Sequence, residues 1–491
     1  MSALRNLAGQ AAIYGLSSIV ARFLNYLLTP LYTSKGVFPP ADYGVITALY
    51  AWTALLNVVL TYGMETAFFR FANKSGEAGD RAYATAGFAL LATSSIFMLA
   101  AGFTAQSIAG GLGYPGHAFS VLMLVGIIGI DAITTLPMAR LRSQGRPWRF
   151  AAINITSVLV NIGLSLFFIG YCMRSYNAGE SNALIDAVYD PDLGVGYVFL
   201  INLVSSGVKL LLLLPSFPRP AWYDKALLRP MLVFGAPLLV AGLAGMVNET
   251  ADRILLKWLL PADTADTQIG IYGACYKLAI LITLFIQAFR FAAEPFFFSQ
   301  AEDPKARETF AKLMNWSVAF MMTAFLTVML FLDLFKWFIP NEAYHVGLRV
   351  VPILMLANVF LGIYYNQSVW YKLTDRTRWG GTIALFGAGV TLLLNFLLIP
   401  RIGYLGSAWA TLACYGGMTV MSHLLGQHYW PVPYQVTRVL LYMAVGVFLW
   451  WGVEQLPLEG ALNYAVRAVV LLGFMTVAWR VERPSVRPLS P

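Results

Sequence analysis

The sequence predicts an all-α polytopic membrane protein with about fourteen transmembrane helices. Hydrophobic residues fill 58% of the 491 positions and only 12% are charged, whereas soluble domains are about a quarter charged. Apolar runs near the length that spans a bilayer, about 20 residues, recur along the whole chain. An internal repeat divides the first twelve runs into two halves. The predicted architecture is therefore two parallel six-helix bundles followed by two extra C-terminal helices.

The apolar runs place the predicted spans in chain order, each to within a few residues. They cover 10–33, 43–64, 83–107, 118–139, 150–172, 195–215, 231–260, 270–297, 313–338, 347–371, 381–400, 405–426, 437–456 and 461–480. We expect an N-terminal six-helix bundle at 1–217, a C-terminal six-helix bundle at 218–430, and helices 13 and 14 with a tail at 431–491. The first run lacks a small-residue cleavage site, so we predict that it is retained as a helix.

Basic residues in the loops orient the predicted helices. Most of them lie in alternate loops and in the C-terminal tail, whereas the remaining loops hold only Lys35, Arg174 and Arg401. The longest of the remaining loops, 173–194, is acidic. Because loops rich in lysine and arginine stay in the cytoplasm, we predict that both termini are cytoplasmic. An even number of spans agrees with that orientation.

Two segments of the chain resemble each other at an offset of 229 residues. The motif DYG contains Tyr43, and Glu65 follows it by 22 positions. The motif IYG contains Tyr272, and Glu294 follows it by the same 22 positions. An offset of six helices preserves helix direction. The halves are therefore predicted to be parallel repeats with a cavity at their interface, as in transporters built from repeats.

Charged residues lie inside several predicted spans, although a charge at the bilayer centre costs about 2.5–3.5 kcal/mol. Arg22 shares one helical face with Ser18 and Asn25 in the first span. The seventh span carries Glu249, Asp252 and Arg253 on one face, and the eighth carries Gln287, Arg290 and Glu294. We interpret these stripes as the lining of a water-filled cavity. The alternative is that Glu249–Arg253 and Arg290–Glu294 are buried ion pairs that fix helix register. Lys257 and Lys209 are predicted to snorkel towards the interface.

Composition and motif content disfavour other classes of function. The formal charge of +9 is explained by cytoplasmic loops, so we expect no nucleic-acid partner. Cys172, Cys275 and Cys414 lack metal-ligand spacing. The sequence contains no paired-carboxylate loop and no glycine-rich phosphate cradle. We therefore predict that the protein is not an enzyme and needs no cofactor or metal.

Two segments carry a family resemblance. RFLNYLLTPLYTSKGVFPPADYGVITALYAW, at 22–52, resembles the opening of polysaccharide-export flippases. FGAPLLVAGLAGMVNETADRILLKWLL followed by IGIYGACYKLAILI, at 234–260 and 269–282, resembles the start of their second half. The family belongs to the multidrug/oligosaccharidyl-lipid/polysaccharide exporter superfamily. The resemblance extends over essentially the whole chain in helix number, and it is specific in these segments.

The resemblance implies a flippase of the bacterial inner membrane. Its substrate would be an undecaprenyl-pyrophosphate-linked oligosaccharide unit, moved by alternating access for surface polysaccharide synthesis such as O-antigen or exopolysaccharide. Membrane lipids, a polysaccharide polymerase and a chain-length regulator are the implied partners. The family's arginine of the first helix falls on Arg22, and its acid of the seventh helix falls on Asp252.

The chemistry of that substrate assigns roles to the intramembrane charges. Arginine stays ionised and binds phosphate with two parallel hydrogen bonds. The predicted substrate-binding residues are Arg22, Asn25, Arg253 and Arg290. A carboxylate that exchanges its charge for a bound ion can bias one state of a transporter over another. The predicted ion-coupling residues, for H+ or Na+, are Glu65, Asp131, Glu249, Asp252 and Glu294.

Other interpretations remain open on the sequence. A lipid II flippase shares the predicted mechanism and also suits about fourteen helices. A drug or cation antiporter would have about twelve helices and a cavity richer in acids. A biosynthetic membrane enzyme lacks its catalytic residues here, and a scaffold without transport activity has little use for intramembrane charges.

Overall fold

A computed structural model describes the backbone of residues 2–72, 77–299, 303 and 305–483. Side chains are described for the same residues except 2–12, 77–78, 291–292, 294–295 and 298–299. Every regular element in this part of the chain is helical. The long helices are α1 (Ser2–Tyr26), α2 (Pro40–Thr61), α3 (Glu77–Phe103), α4 (Ala118–Ser143), α5 (Pro147–Ser165), α6 (Gly196–Leu213), α7 (Lys225–Leu259), α8 (Ala262–Ser299), α9 (Ala306–Leu330), α10 (Val351–Gln367), α11 (Arg378–Ile402), α12 (Tyr404–Tyr429), α13 (Val436–Glu454) and α14 (Gly460–Glu482).

The helix lengths confirm the predicted polytopic membrane fold. In the described residues, 12 helical segments are long and apolar enough to cross a bilayer. α1 and α12, of 25 and 26 residues, are outside this set but also of spanning length, which agrees with a count of about fourteen. Because successive helices cross in alternate directions, the start of α1 and the end of α14 lie at the same end of the molecule, called here the terminal end. The other is called the opposite end.

The helix packing repeats between the two halves. In the first half, α1 packs on α5, α2 and α3 pack on α4, and α6 packs on both α4 and α5. In the second half, α7 packs on α11, α8 and α9 pack on α10, and α12 packs on both α10 and α11. Each pair in the first half therefore has its counterpart six helices later. This is the arrangement expected of two parallel six-helix bundles.

The two bundles meet where α2 crosses α8. A β-carbon on Gly44 would collide with the backbone carbonyl oxygen of Asp266. A β-carbon on Gly270 would collide in the same way with the carbonyl oxygen of Pro40. Glycine is required at both positions because the backbones touch. Small residues thus set the separation of the two bundles near the opposite end.

Charged contacts attach the two extra helices to α9. Arg467 of α14 donates to Asp333, which follows α9, at 2.8 Å. At the terminal end, Glu482 of α14 accepts hydrogen bonds from Arg438 at 3.3 Å and from Tyr442 at 2.9 Å, both on α13. Asn315 of α9 reaches the same carboxylate at 3.5 Å. Contacts at both ends therefore hold α13 and α14 against the C-terminal bundle.

Candidate functional site

A cavity of about 520 Å³ lies between the two bundles. Side chains from α1, α2, α4, α5 and α6 line it on one side, and side chains from α7 and α8 line it on the other. The cavity lies at the interface where the sequence repeat predicts one. Its lining includes α2 and α8, the two helices that cross where the bundles meet.

A buried ion pair lies in the wall formed by α7 and α8. Asp252 is 3% exposed and accepts from the Arg253 guanidinium at 3.0 Å. Its second oxygen accepts from the hydroxyl of Tyr272 at 2.6 Å. Arg253 lies over the ring of Tyr276 at 4.3 Å and also donates to the backbone carbonyl of Glu249. The predicted pair on this helix therefore forms between Arg253 and Asp252 rather than between Arg253 and the Glu249 carboxylate.

Two charges on the same wall have no counter-ion. Lys277 of α8 lines the cavity, and among the described residues no carboxylate lies within 4 Å of it. Glu249 also lines the cavity, with an exposed side chain that has no ion-pair partner in the described part of the chain. A charge inside a membrane-spanning helix without an ion-pair partner marks a functional site by default.

The wall formed by α4 and α6 carries one acid and one base. Asp131 of α4 accepts from the hydroxyl of Ser206 at 3.0 Å. Lys209, on α6, lines the cavity and lies close enough to Asp131 to interact electrostatically. Both side chains are half-buried. The two charges oppose each other in sign, so this wall has little net charge.

Uncharged polar groups cover the rest of that wall. Asn154 and Asn161 of α5 line the cavity, as does Asn25 of α1. Asn202 of α6 donates to the hydroxyl of Tyr50 at 2.7 Å. Amides and hydroxyls offer both donors and acceptors to a ligand.

Four of the predicted site residues line this cavity: Asn25, Asp131, Glu249 and Arg253. Asp252 lies directly behind the wall. The structure places three others elsewhere. Arg22 is exposed on the same face of α1 as Asn25, one turn nearer the terminal end, and no described residue pairs with it. Glu65 forms an ion pair with Arg142. Arg290 lies 4.3 Å over the ring of Tyr365. The side chain of Glu294 is outside the described residues.

Lys209 and Lys277 line the cavity but were not among the predicted site residues. Both lie in predicted spans, and Lys209 was assigned to the membrane interface. Lys277 follows Tyr272 by five positions and Gly273 by four, so it shares the cavity face with Gly273, Tyr276 and Ile280. Helical spacing from the repeat motif IYG puts Lys277 on that face, but only the packing of α8 shows that the face lines the cavity. Lys257, also predicted to snorkel, binds Asp266 at 2.8 Å near the end of α7.

Contacts between the bundles, called here the seal, lie between the cavity and the opposite end. The Tyr114 hydroxyl in the α3–α4 loop donates to Asp266 of α8 at 2.9 Å. Burial, reinforced by the Asp266 charge, raises the pKa of Tyr114 above its ordinary value, so the phenol keeps its proton. Nearby, the Tyr344 hydroxyl donates to the carbonyl of Phe38 at 2.9 Å. This seal consists of loop residues and helix ends from both bundles.

A sequence profile described as "Polysaccharide biosynthesis protein" matches residues 37–339. The match covers more than half of the chain, and the chain therefore belongs to this family. It confirms the resemblance drawn from the segments at 22–52 and 234–282. A search of curated protein sequences finds no match.

Solved structures of membrane transporters share the fold. The lipid II flippase MurJ in an inward closed conformation is similar at a TM-score of 0.71 and 13% identity, over 95% of this chain and 99% of that one. An inward-facing multidrug resistance MATE family transporter of the MOP superfamily is similar at 0.63 and 13%, over 89% and 99%. The MATE multidrug transporter DinF-BH is similar at 0.64 and 15%, over 86% and 96%. The protein is thus a multi-pass membrane protein of polysaccharide biosynthesis with a transporter fold.

Proposed function

We propose that the protein is a flippase that moves undecaprenyl-pyrophosphate-linked oligosaccharide units across the bacterial inner membrane by alternating access. One observation carries the proposal: a polar cavity between two repeated bundles holds a lysine, Lys277, that has no counter-ion among the described residues. A fixed cation in a membrane-embedded cavity suits an anionic ligand.

The charges of the cavity support a pyrophosphate ligand. The described lining contains three cations, Lys209, Arg253 and Lys277, and two carboxylates, Asp131 and Glu249. Asp252, directly behind the wall, offsets Arg253, so Lys277 is left as a cation with no carboxylate within 4 Å among the described residues. Arg253 and Lys277 lie on the wall formed by α7 and α8. Asp252 and the Glu249 carbonyl orient the Arg253 guanidinium at the cavity lining, where it would bind phosphate oxygens. The polyprenyl tail would remain in lipid along α13 and α14.

The carboxylates of the cavity are the coupling groups in this proposal. Glu249 and Asp131 line the cavity and would exchange H+ or Na+ as the bundles move. Asp252 would contribute through its pair with Arg253. Glu65 is also a candidate coupling group, and at the terminal end it forms an ion pair with Arg142. Glu294 stays a predicted ion-coupling residue.

Alternating access requires that one end open while the other closes. The hydrogen bonds that cross between the bundles at the opposite end are few, so small bundle rotations can break them. With both termini in the cytoplasm, the seal lies on the periplasmic side. A polysaccharide polymerase and a chain-length regulator would receive the product there.

A lipid II flippase is the second candidate, because the fold is similar to that of MurJ over 95% of this chain. Lipid II carries the same polyprenyl-pyrophosphate, so the cationic wall suits both substrates. The MATE-like fold also suits a drug or cation antiporter, but a cavity lysine that has no counter-ion among the described residues disfavours cationic drugs.

The proposal is tested in a strain depleted of this protein. Polyprenyl-pyrophosphate lipids are extracted, and their glycans are identified by mass spectrometry. We expect one lipid-linked oligosaccharide to accumulate and wild-type protein to clear it. Lys277→Gln should clear it poorly, and Lys277→Arg, which keeps the charge, should restore most of the activity.

The matched control is Lys225→Gln, which removes the same charge from an exposed position at the start of α7. It should behave as the wild type. Accumulation of lipid II alone would favour the second candidate. No accumulated lipid together with new drug sensitivity would refute the flippase proposal in favour of an antiporter.

A further inference from the structure

The cavity has two chemically different walls, and only one of them suits phosphate. The wall formed by α7 and α8 carries the cations Arg253 and Lys277 together with the carboxylate of Glu249. The face that α5 presents to the cavity consists of Asn154, Ser157, Val158 and Asn161, without a charge. Those residues follow one another by 3, 1 and 3 positions, so they form a single helical stripe.

The two asparagines at the ends of this stripe have no hydrogen-bond partner among the described residues. Both are half-buried, and both line the cavity. Asparagines in membrane helices often hold helices together through interhelical hydrogen bonds. Here a different pair does so: the Ser157 hydroxyl donates to the Ser205 carbonyl at 3.0 Å, and the Ser205 hydroxyl donates to the Ser157 carbonyl at 2.6 Å. The α5–α6 contact therefore does not use the asparagines.

An amide inside a membrane protein is unfavourable unless it binds a polar partner. Asn154 and Asn161 each present an N–H₂ donor and a carbonyl acceptor to the cavity. A sugar hydroxyl also both donates and accepts, so the pair matches a chain of hydroxyls. On the same side of the cavity, Asp131 and Lys209 carry charges of opposite sign, which offset each other. The whole wall therefore favours a ligand without net charge.

We propose that the face of α5, through Asn154 and Asn161, binds the glycan of the substrate and selects an uncharged oligosaccharide. The wall formed by α7 and α8 holds the pyrophosphate. This inference rests on the proposed function. It adds specificity-determining residues and a class of glycan: hexoses, deoxyhexoses or N-acetylated hexosamines rather than units rich in uronic acid.

The test uses purified full-length protein in lipid vesicles and three synthetic polyprenyl-pyrophosphates. The first carries an uncharged tetrasaccharide, the second a single N-acetylhexosamine, and the third a tetrasaccharide with two uronic acids. The wild type should move the uncharged tetrasaccharide at least several-fold faster than the uronic-acid lipid. Asn154→Leu/Asn161→Leu, which keeps side-chain volume but removes the amides, should slow the uncharged tetrasaccharide about tenfold and the single-sugar lipid less than twofold.

Matched variants separate selection from folding. Thr156→Ala removes a polar group from an exposed position on the same helix and should leave all rates unchanged. If the double leucine variant does not fold, Asn154→Ser and Asn161→Ser are measured singly and should each slow only the tetrasaccharide. Lys277→Gln should slow every lipid by the same factor, because each carries the pyrophosphate.

The outcomes distinguish the inference from the proposed function. Equal slowing of both uncharged lipids by the asparagine variants, or no slowing, overturns the inference and leaves the flippase intact. So does a uronic-acid lipid that moves as fast as the uncharged one. If the wild type moves only the lipid with the uncharged tetrasaccharide, the inference requires that the asparagine variants lose this transport while their melting temperature stays unchanged. Transport of none of the three lipids overturns both.

Discussion

The two bundles share one packing scheme but hold their charges differently. In the C-terminal bundle, Asp252 is buried and receives hydrogen bonds from Arg253 and Tyr272. In the N-terminal bundle, Asp131 is half-buried and receives one hydrogen bond, from Ser206. One carboxylate belongs to a network that fixes two helices. The other remains close to the cavity surface.

The first helices of the two bundles, α1 and α7, also hold their charges differently. Arg253 on α7 is bound by Asp252 and packs on Tyr276, whereas Arg22 on α1 is exposed without a partner among the described residues. Repeated helices therefore supply the same scaffold twice, and the side chains on it differ. The C-terminal bundle holds preorganised cations, and the N-terminal bundle presents neutral polar groups and adaptable charges.

The largest expected difference between the bundles is in stability. Asp252→Asn leaves Arg253 buried without its counter-ion, and loss of one partner of a buried pair costs about 3–5 kcal/mol. Asp131→Asn removes a single hydrogen-bonded charge and should cost about 1 kcal/mol. Thermal unfolding in detergent, followed by tryptophan fluorescence, should show a much larger drop in melting temperature for Asp252→Asn. Equal drops would show that both bundles hold their carboxylates equivalently.

The next difference concerns transport. Lys277→Gln should lower the rate of lipid-linked oligosaccharide transport by about tenfold or more, because a charge-assisted hydrogen bond is worth about 1.5–3 kcal/mol. Lys209→Gln should lower it only about threefold, because Asp131 already offsets the charge of Lys209. Flipping assays in vesicles compare the two variants. A larger loss for Lys209→Gln would place the phosphate on the N-terminal wall instead.

A smaller effect is expected at the seal that joins the bundles. Tyr114→Phe removes one hydrogen bond to Asp266, worth about 1 kcal/mol, and should increase labelling of a cysteine placed in the cavity from the opposite side. Because the pKa of Tyr114 is raised, its hydrogen bond is fully present below the ordinary phenol pKa and is lost only as pH rises through the raised value. In protein that keeps Tyr114, the titration of this residue should therefore not change labelling of the cavity cysteine between about pH 6 and 9. A change in that range would assign the seal to another group.

The smallest effect on stability is expected at Arg22. Arg22→Gln should change the melting temperature by less than the equivalent of about 0.5 kcal/mol, because its side chain is exposed and forms no ion pair with the described residues. Arg253→Gln, on the repeated helix, should destabilise strongly. If Arg22→Gln nevertheless loses transport, the loss reports on substrate rather than folding. A destabilised Arg22→Gln would show that the side chain has a structural contact.

Most of the fold followed from the sequence, whereas the site followed only in part. Helix number, helix order and the meeting of repeated helices could be predicted because apolar length and a 229-residue offset are local or pairwise properties of the chain. Asn25 and Arg253 were placed in the cavity by helical periodicity. Arg290 lies over Tyr365 instead, because a partner on α10 cannot be foreseen from spacing within α8.

The sequence by itself determined that the chain crosses a membrane in two repeated sets of helices, because burial of apolar residues in lipid depends on composition and length. Only the tertiary structure decided which charge meets which partner. Arg253 turned to Asp252 rather than to the Glu249 carboxylate because Tyr272 and Tyr276 of α8 fix the geometry around it. Lys277 became a cavity residue because α8 presents the face of Gly273 and Tyr276 to the space between the bundles. Such choices depend on contacts between helices, which no pattern within one helix contains.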